Sequence, residues 1–188
     1  MKTCIVITGP TASGKTAVAI DIARYFKTSI ISADSRQCFR EMNIGVAKPS
    51  PAELQQVHHY FINSHSIHSA VNAAVFEQYA LQAAAEIFQQ HDHVVVAGGT
   101  GLYIKAFCEG LDDMPPVSPA IRQQITEQYG QQGMAWLQQQ VQEQDPLFYA
   151  SGEIHNPQRL IRALEVIQAT GRSIRSYQQG NKTTRDFR

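Results

Sequence analysis

Apolar residues in this chain alternate between short unbroken runs and longer stretches where they recur every three or four positions. The runs at 4–8, 29–33 and 93–97 predict strands, with a shorter one at 59–62. Between them, Val18, Ile22, Tyr25 and Phe26 recur at helical spacing. So do Val75, Phe76, Tyr79, Ala80, Ala83, Ala84, Ile87 and Phe88 in the stretch 70–90, the clearest helix of the chain. Strand and helix alternating over short loops predict an α/β fold, a doubly wound parallel sheet. Two prolines and a glycine make 43–52 loop-like.

The stretch 110–119, with two glycine or proline clusters, breaks the rhythm and predicts a subdomain boundary. Beyond it, 118–144 carries ten glutamines and no strand pattern. Ile125, Tyr129, Trp136, Leu137 and Val141 give helical stretches around 121–129 and 134–141 a packing face, so a small helical insert is expected there. A well-bounded helix follows. Asn156 suits the N-cap, Pro157 the first turn and Gly171 the stop, and Leu160, Ile161, Leu164 and Ile167 form its apolar stripe. The expected division is therefore a core over 1–112, an insert over 113–154, and a return to the core over 155–188.

Composition narrows the class. With 188 residues, 43% hydrophobic and 17% charged, the chain can bury one core and a satellite. No apolar run approaches the ~18 residues of a membrane span, and the N-terminus lacks the pattern of a signal peptide. Cys4, Cys38 and Cys108 make no C-x-x-C pair, so reduced structural cysteines in a cytoplasmic protein are expected. The net charge of zero conceals an asymmetry: 1–154 hold 9 basic and 14 acidic side chains, 155–188 hold 7 and 2. That basic block is either a solvated surface or the edge of a nucleic-acid footprint.

Candidate chemistry centres on Gly9-Pro10-Thr11-Ala12-Ser13-Gly14-Lys15-Thr16, which fits G-x-x-x-x-G-K-[ST] between a predicted strand and a predicted helix. In such a loop, backbone N–H groups curl around phosphate oxygens at a helix N-terminus. Lys15 adds a point charge, and the Thr16 hydroxyl can reach Mg²⁺. A second polar cluster, Asp34-Ser35-Arg36-Gln37, ends the second strand, where parallel sheets place ligands. The third strand ends in Ala97-Gly98-Gly99-Thr100, without the carboxylate that ATP-using relatives of this loop place there. Asp34 is then either a metal ligand or a base that takes a proton from a nucleophile, and the missing acid tilts toward the base. His58, His59, His65 and His68 lie close together, but with no cysteine or carboxylate in that stretch they read as loop or half-buried histidines rather than metal ligands.

Taken together, the motifs resemble the tRNA dimethylallyltransferases, also called tRNA isopentenyltransferases, over essentially the whole chain. The residues that carry the likeness are the loop at 9–16, Ile31-Ser32-Ala33-Asp34-Ser35-Arg36-Gln37, and Ile44-Gly45-Val46-Ala47-Lys48-Pro49. Gly98-Gly99-Thr100-Gly101-Leu102-Tyr103 and Gln158-Arg159-Leu160-Ile161-Arg162-Ala163-Leu164-Glu165 follow in the same order. The resemblance implies a P-loop NTPase-like fold and transfer of a dimethylallyl group from its diphosphate to N6 of the adenosine 3′ to the anticodon. The loop would cradle a leaving diphosphate with Mg²⁺ on Thr16. Asp34 would be the base and Thr100 its catalytic companion. Asp34, Ser35, Arg36, Gln37, Thr100, Arg122 and the run Gln158, Arg159, Leu160, Ile161, Arg162 would line the path of the tRNA anticodon stem-loop. A monomer is expected, and family members continue well past the position of Arg188, so the chain reads as a truncated product.

Some positions depart from the family's pattern. Val46 stands where Thr is usual, Cys38-Phe39 where Val-Tyr is, and Asn63 closes a segment that ordinarily ends in Asp. The lost Asp is expected to loosen a loop near the substrate channel. Three other functions fit parts of the pattern: a P-loop kinase with Arg159 and Arg162 as a lid, an adenylate isopentenyltransferase, and a non-catalytic RNA-binding module.

Overall fold

The computed structural model describes residues 1–10 and 12–188. In chain order the strands are β1 (Thr3–Thr8), β2 (Ile30–Ser32), β3 (His59–Tyr60) and β4 (His93–Gly98). The helices are α1 (Lys15–Tyr25), α2 (Pro51–Gln56), α3 (Ala73–Phe88), α4 (Gly101–Glu109), α5 (Pro119–Gln144), α6 (Pro146–Ser151) and α7 (Pro157–Thr170). Two units divide the chain: Met1–Leu111 with Lys182–Arg188, and Asp112–Asn181.

In the first unit the four strands are all parallel in the order β1-β4-β2-β3. Helices cover both faces. On one, Ala19, Ile20 and Ala23 of α1 pack on Ile30 and Val95; on the other, Phe76, Ala80, Ala83 and Ala84 of α3 and Phe107 of α4 pack on Ile31, Val94 and Val96. The doubly wound α/β expectation holds. The face expected of α1 does not: Val18 and Tyr25 are 50% and 81% exposed. Alanines at 19 and 23 let the helix lie close on the sheet, and that packing outweighs the bulkier residues of the other stripe. α2 was not visible in the pattern; a capping box between Ser50 and Glu53 starts it.

The C-terminal residues of this unit are held firmly. Arg188 N–H donates to Lys2 O at 3.2 Å and Arg188 O accepts from Cys4 N–H at 2.7 Å, a parallel pairing along the outer side of β1. Arg185 donates to Glu77 Oε1 at 2.6 Å and to the carbonyls of Ala106 and Phe107 at 2.7 and 2.9 Å, near the end of α4. Its side chain is 11% exposed, and a cation there also suits the negative end of a helix. Arg185→Ala should therefore lower the stability of this unit by about 3 kcal/mol, because Glu77 and two carbonyls lose their partner together. An unmoved urea midpoint for this variant would show that the contacts contribute nothing.

The second unit is helical. α5 is two helical arms that meet in a kink at Gly133, whose φ of 78° and ψ of −169° lie outside the helical region. The two helical stretches predicted from the pattern are its two arms. α7 does not return to the core as expected. Its stripe Leu160, Ile161, Ala163 and Leu164 packs on Ile125, Leu137 and Val141 of α5 and Phe148 of α6. The apolar stripe called for a partner, and α5 supplies one within the same unit; only 182–188 rejoin the first unit.

Candidate active site

The phosphate loop connects β1 to α1. Gly14 caps the helix in the left-handed region at φ 80°, where any side chain would be strained, and Ala12 sits nearby at φ 64°. The first N–H groups of α1, like those of any helix, have no acceptor within the helix. Lys15 Nζ donates to Pro10 O and lies 3.5 Å from Ser13 Oγ, so its charge is folded over the loop. Thr11 falls outside the described residues.

A cleft of about 240 Å³ opens here, lined by Ala12, Ser13, Gly14, Lys15 and Thr16 on one side and Asp34, Gln37, Ala47 and 97–99 on the other. Beside it lies a second cleft of about 380 Å³, lined by Gly9, Pro10, Asp34, Ser35, Arg36, Gly45, Val46, Gly99 and Thr100. Asp34 and Gly99 border both.

Asp34 follows β2, which is not a neighbour of β1; β4 lies between them. It reaches the loop because β2 and β4 are laced together where they end. Ala33 N–H donates to Ala97 O at 2.8 Å, Thr100 N–H to Ala33 O at 3.1 Å, and Ser35 N–H to Thr100 Oγ1 at 3.1 Å. Gly98 makes this approach possible: a Cβ there would lie 2.2 Å from Ala33 O. Asp34 Oδ1 accepts from Arg36 N–H at 2.9 Å and Gln37 N–H at 3.3 Å, capping the turn that follows. Its other oxygen takes no hydrogen bond among the described residues. Thr100 accepts from Ser35 and keeps its own hydroxyl proton to donate.

Gln37 is committed elsewhere than expected. Its Oε1 accepts from Ser32 Oγ at 2.9 Å, and its amide donates to Ala47 O at 2.9 Å, fixing the 44–49 loop against β2. That loop is not loosened by Asn63. Lys48 Nζ donates to Asn63 Oδ1 at 2.7 Å, to Phe39 O at 2.6 Å and to Asn43 Oδ1 at 3.3 Å; an amide oxygen accepts there as a carboxylate would. Val46 and Cys38 are buried, and Phe39 packs against the core cluster that holds Cys38.

Other nucleophiles and ligands fall away. Burial pushes the Cys4 thiol up to about 12, with Cys108 beside it adding to the rise, and burial also raises Cys38. These are unreactive thiols. His59 donates from Nδ1 to Val57 O, and burial lowers its affinity for a proton. His65 is bonded to Ser64 Oγ, and among the described residues no three His, Cys, Asp or Glu gather as metal ligands.

In the second unit, the residues expected on an RNA path separate into two groups. Leu160 and Ile161 are in its core, 0% and 2% exposed, so their side chains offer no surface. A helical turn cannot present five consecutive residues to one partner. Gln158 and Arg159 are exposed, and Arg162 and Arg122 reach the surface as well. Arg159 pairs with Glu153 at 2.9 Å, both half in solvent, a pair worth little and free to exchange. Arg175 is held by Ser151 O at 2.6 Å and lies over the Phe148 ring. The basic block at the C-terminus is thus partly structural, in Arg175, Lys182 and Arg185.

Comparison with known proteins bears on this geometry directly. Residues 37–188 match the family described as IPP transferase. This chain belongs to that family. The chain is 43% identical over 187 residues to the tRNA dimethylallyltransferase of Cytophaga hutchinsonii, covering 100% of this chain and 62% of that protein. It is 46% identical over 182 residues to the tRNA dimethylallyltransferase of Christiangramia forsetii, covering 97% and 60%. Among solved structures, the full-length tRNA isopentenylpyrophosphate transferase of Bacillus halodurans superposes with a TM-score of 0.57 at 31% identity, covering 93% of this chain and 57% of that one. The chain therefore spans about three fifths of the length of these curated relatives. Among the described residues no helix is long and apolar enough to cross a membrane.

Proposed function

We propose that this protein transfers a dimethylallyl group from dimethylallyl diphosphate to N6 of the adenosine 3′ to the anticodon of a tRNA. The observation that carries this reading is that Asp34 borders two adjoining clefts, one lined by the phosphate loop and the other by Ser35, Arg36 and Thr100. The first suits a diphosphate and the second a flipped-out base, with a carboxylate where they meet. N–H groups of the loop and Lys15 would hold the diphosphate as the allylic C–O bond breaks and its electron pair moves to the bridging oxygen. The N6 lone pair forms the new bond to that carbon, and Asp34 takes the N6 proton. Thr100, its hydroxyl proton uncommitted, would donate to the leaving oxygen or to the base.

Thr16 lies in the first turn of α1 and lines the same cleft as the phosphate loop, which fits a divalent cation held by its hydroxyl and by phosphate oxygens. Mg²⁺ bound there would neutralise charge on the leaving diphosphate. Arg36, which lines the second cleft, would contact RNA; Gln158, Arg159, Arg162 and Arg122, in the second unit, would do so as well.

Thermal protection by ligands tests the donor. Dimethylallyl diphosphate with Mg²⁺ should raise the melting temperature, and Lys15→Ala should weaken its binding about tenfold or more by removing a charge-assisted contact to phosphate. Protection by ATP and none by dimethylallyl diphosphate would favour a kinase and sink the assignment. Retention of an anticodon stem-loop RNA in preference to free AMP separates the tRNA enzyme from an adenylate isopentenyltransferase.

A further inference from the structure

α7 carries an ion where its neighbours are apolar. Glu165 lies between Leu164 and Val166, both 0% exposed, and is itself 1% exposed. Two arginines from different helices divide its carboxylate. Arg122 of α5 donates from Nη1 to Oε1 at 2.8 Å, and Arg162 of α7 donates from Nη1 to Oε2 at 3.0 Å. Gln158 Oε1 stands 3.5 Å from the second terminal nitrogen of Arg122. The arginine side chains are 56% and 36% exposed, so the carboxylate is buried beneath while the guanidinium groups face outward.

Burying a carboxylate is unfavourable, and an apolar residue of similar volume usually stabilises a core as well or better. An ion in the middle of a core stripe therefore calls for some other explanation than stability. Each guanidinium has five N–H donors, and Glu165 engages one on each. One more on Arg122 faces Gln158, and the rest remain to meet an anion in two planes whose positions are set by one shared carboxylate. A free arginine must give up about 2 kcal/mol of rotamer entropy when it is ordered by a ligand; these two are ordered beforehand.

We propose that Glu165 is a positioning residue: it holds Arg122 and Arg162 as a preformed pair of guanidinium groups that receives adjacent backbone phosphates of the RNA. This rests on the reading that Arg122 and Arg162 contact RNA, and it assigns Glu165 no contact of its own.

Electrostatics and positioning make opposite forecasts for one variant. Glu165→Gln removes a negative charge beside the RNA surface. By charge alone, binding of a synthetic anticodon stem-loop RNA should tighten and its salt dependence should steepen. If Glu165 positions the arginines, binding should weaken about tenfold although the net charge has become more favourable. Arg122→Ala and Arg162→Ala should each weaken binding and lower the salt slope by about one. Should those two variants bind normally, the RNA-contact reading itself fails. Should they bind weakly while Glu165→Gln binds as well as or better than the parent, the contact reading stands and positioning is overturned. NMR relaxation of arginine Nε–H groups in the unmodified protein gives a measurement that needs no folded variant. Arg122 and Arg162 should be ordered in the absence of RNA, against exposed Arg172 as the mobile reference; equal mobility of all three overturns the proposal.

Discussion

Asp34→Asn should lower transfer to RNA by about 10²–10⁴-fold while leaving folding and diphosphate binding nearly as they were. The substitution is unusually clean at this position. Oδ1 of Asp34 accepts the N–H groups of Arg36 and Gln37, and the amide oxygen of Asn can accept both, so the turn stays capped. What Asn lacks is the basicity of a carboxylate, at a residue that borders both clefts. A residue that only caps the turn contributes about 1 kcal/mol of stability and nothing specific to the rate. The two roles are therefore read from two measurements on one variant: a melting curve and a single-turnover assay with saturating dimethylallyl diphosphate. Turnover within a few-fold of the parent would remove Asp34 from proton transfer and leave it as a cap.

The second large effect concerns a residue with no side chain. Gly98→Ala would place a methyl carbon 2.2 Å from Ala33 O and 2.8 Å from Ala33 Cα, far inside contact distance and against backbone rather than a movable side chain. The ends of β2 and β4 must then separate by about 1 Å, which costs on the order of 3 kcal/mol of stability. The same separation pulls apart Thr100 N–H and Ala33 O, and Ser35 N–H and Thr100 Oγ1, the contacts that put Thr100 beside the Asp34 turn. Displacement of about this size can slow a positioned reaction about 10²-fold, beyond what the lost stability explains. Urea unfolding of Gly98→Ala and its turnover well below the melting point test the two parts separately. A variant as stable and as active as the parent would mean that the strand ends do not approach as described.

How much of this was legible in advance depends on the range of the interaction concerned. The strands at 4–8, 29–33 and 93–97 were readable because strands covered on both faces show as short apolar runs, and the helix over 70–90 because one buried side gives helical spacing, both of them local patterns. The face of α1 was misread because its apolar residues fall on two stripes. Which stripe is buried depends on how closely the helix can approach the sheet, and Ala19 and Ala23 decide that. α7 was recognised as an amphipathic helix but assigned to the wrong unit, since a stripe of Leu and Ile demands a partner without naming it. The run 158–162 was read as one RNA-facing segment, although helical geometry turns Leu160 and Ile161 inward.

By itself, the sequence determined the phosphate loop, the polar cluster that follows the second strand, the alternation of strand and helix, and the family. Each rests on consecutive or regularly spaced residues, whose conformational and chemical preferences act over a few positions. Tertiary structure alone decided that β4 stands between β1 and β2, that Gly98 must lack a side chain to bring Thr100 to Ser35, and that Glu165 shares its carboxylate between Arg122 and Arg162. Those contacts join residues tens of positions apart. Side-chain volume and burial select them only once the helices and strands have packed, and nothing in the local pattern encodes which distant partner will be there.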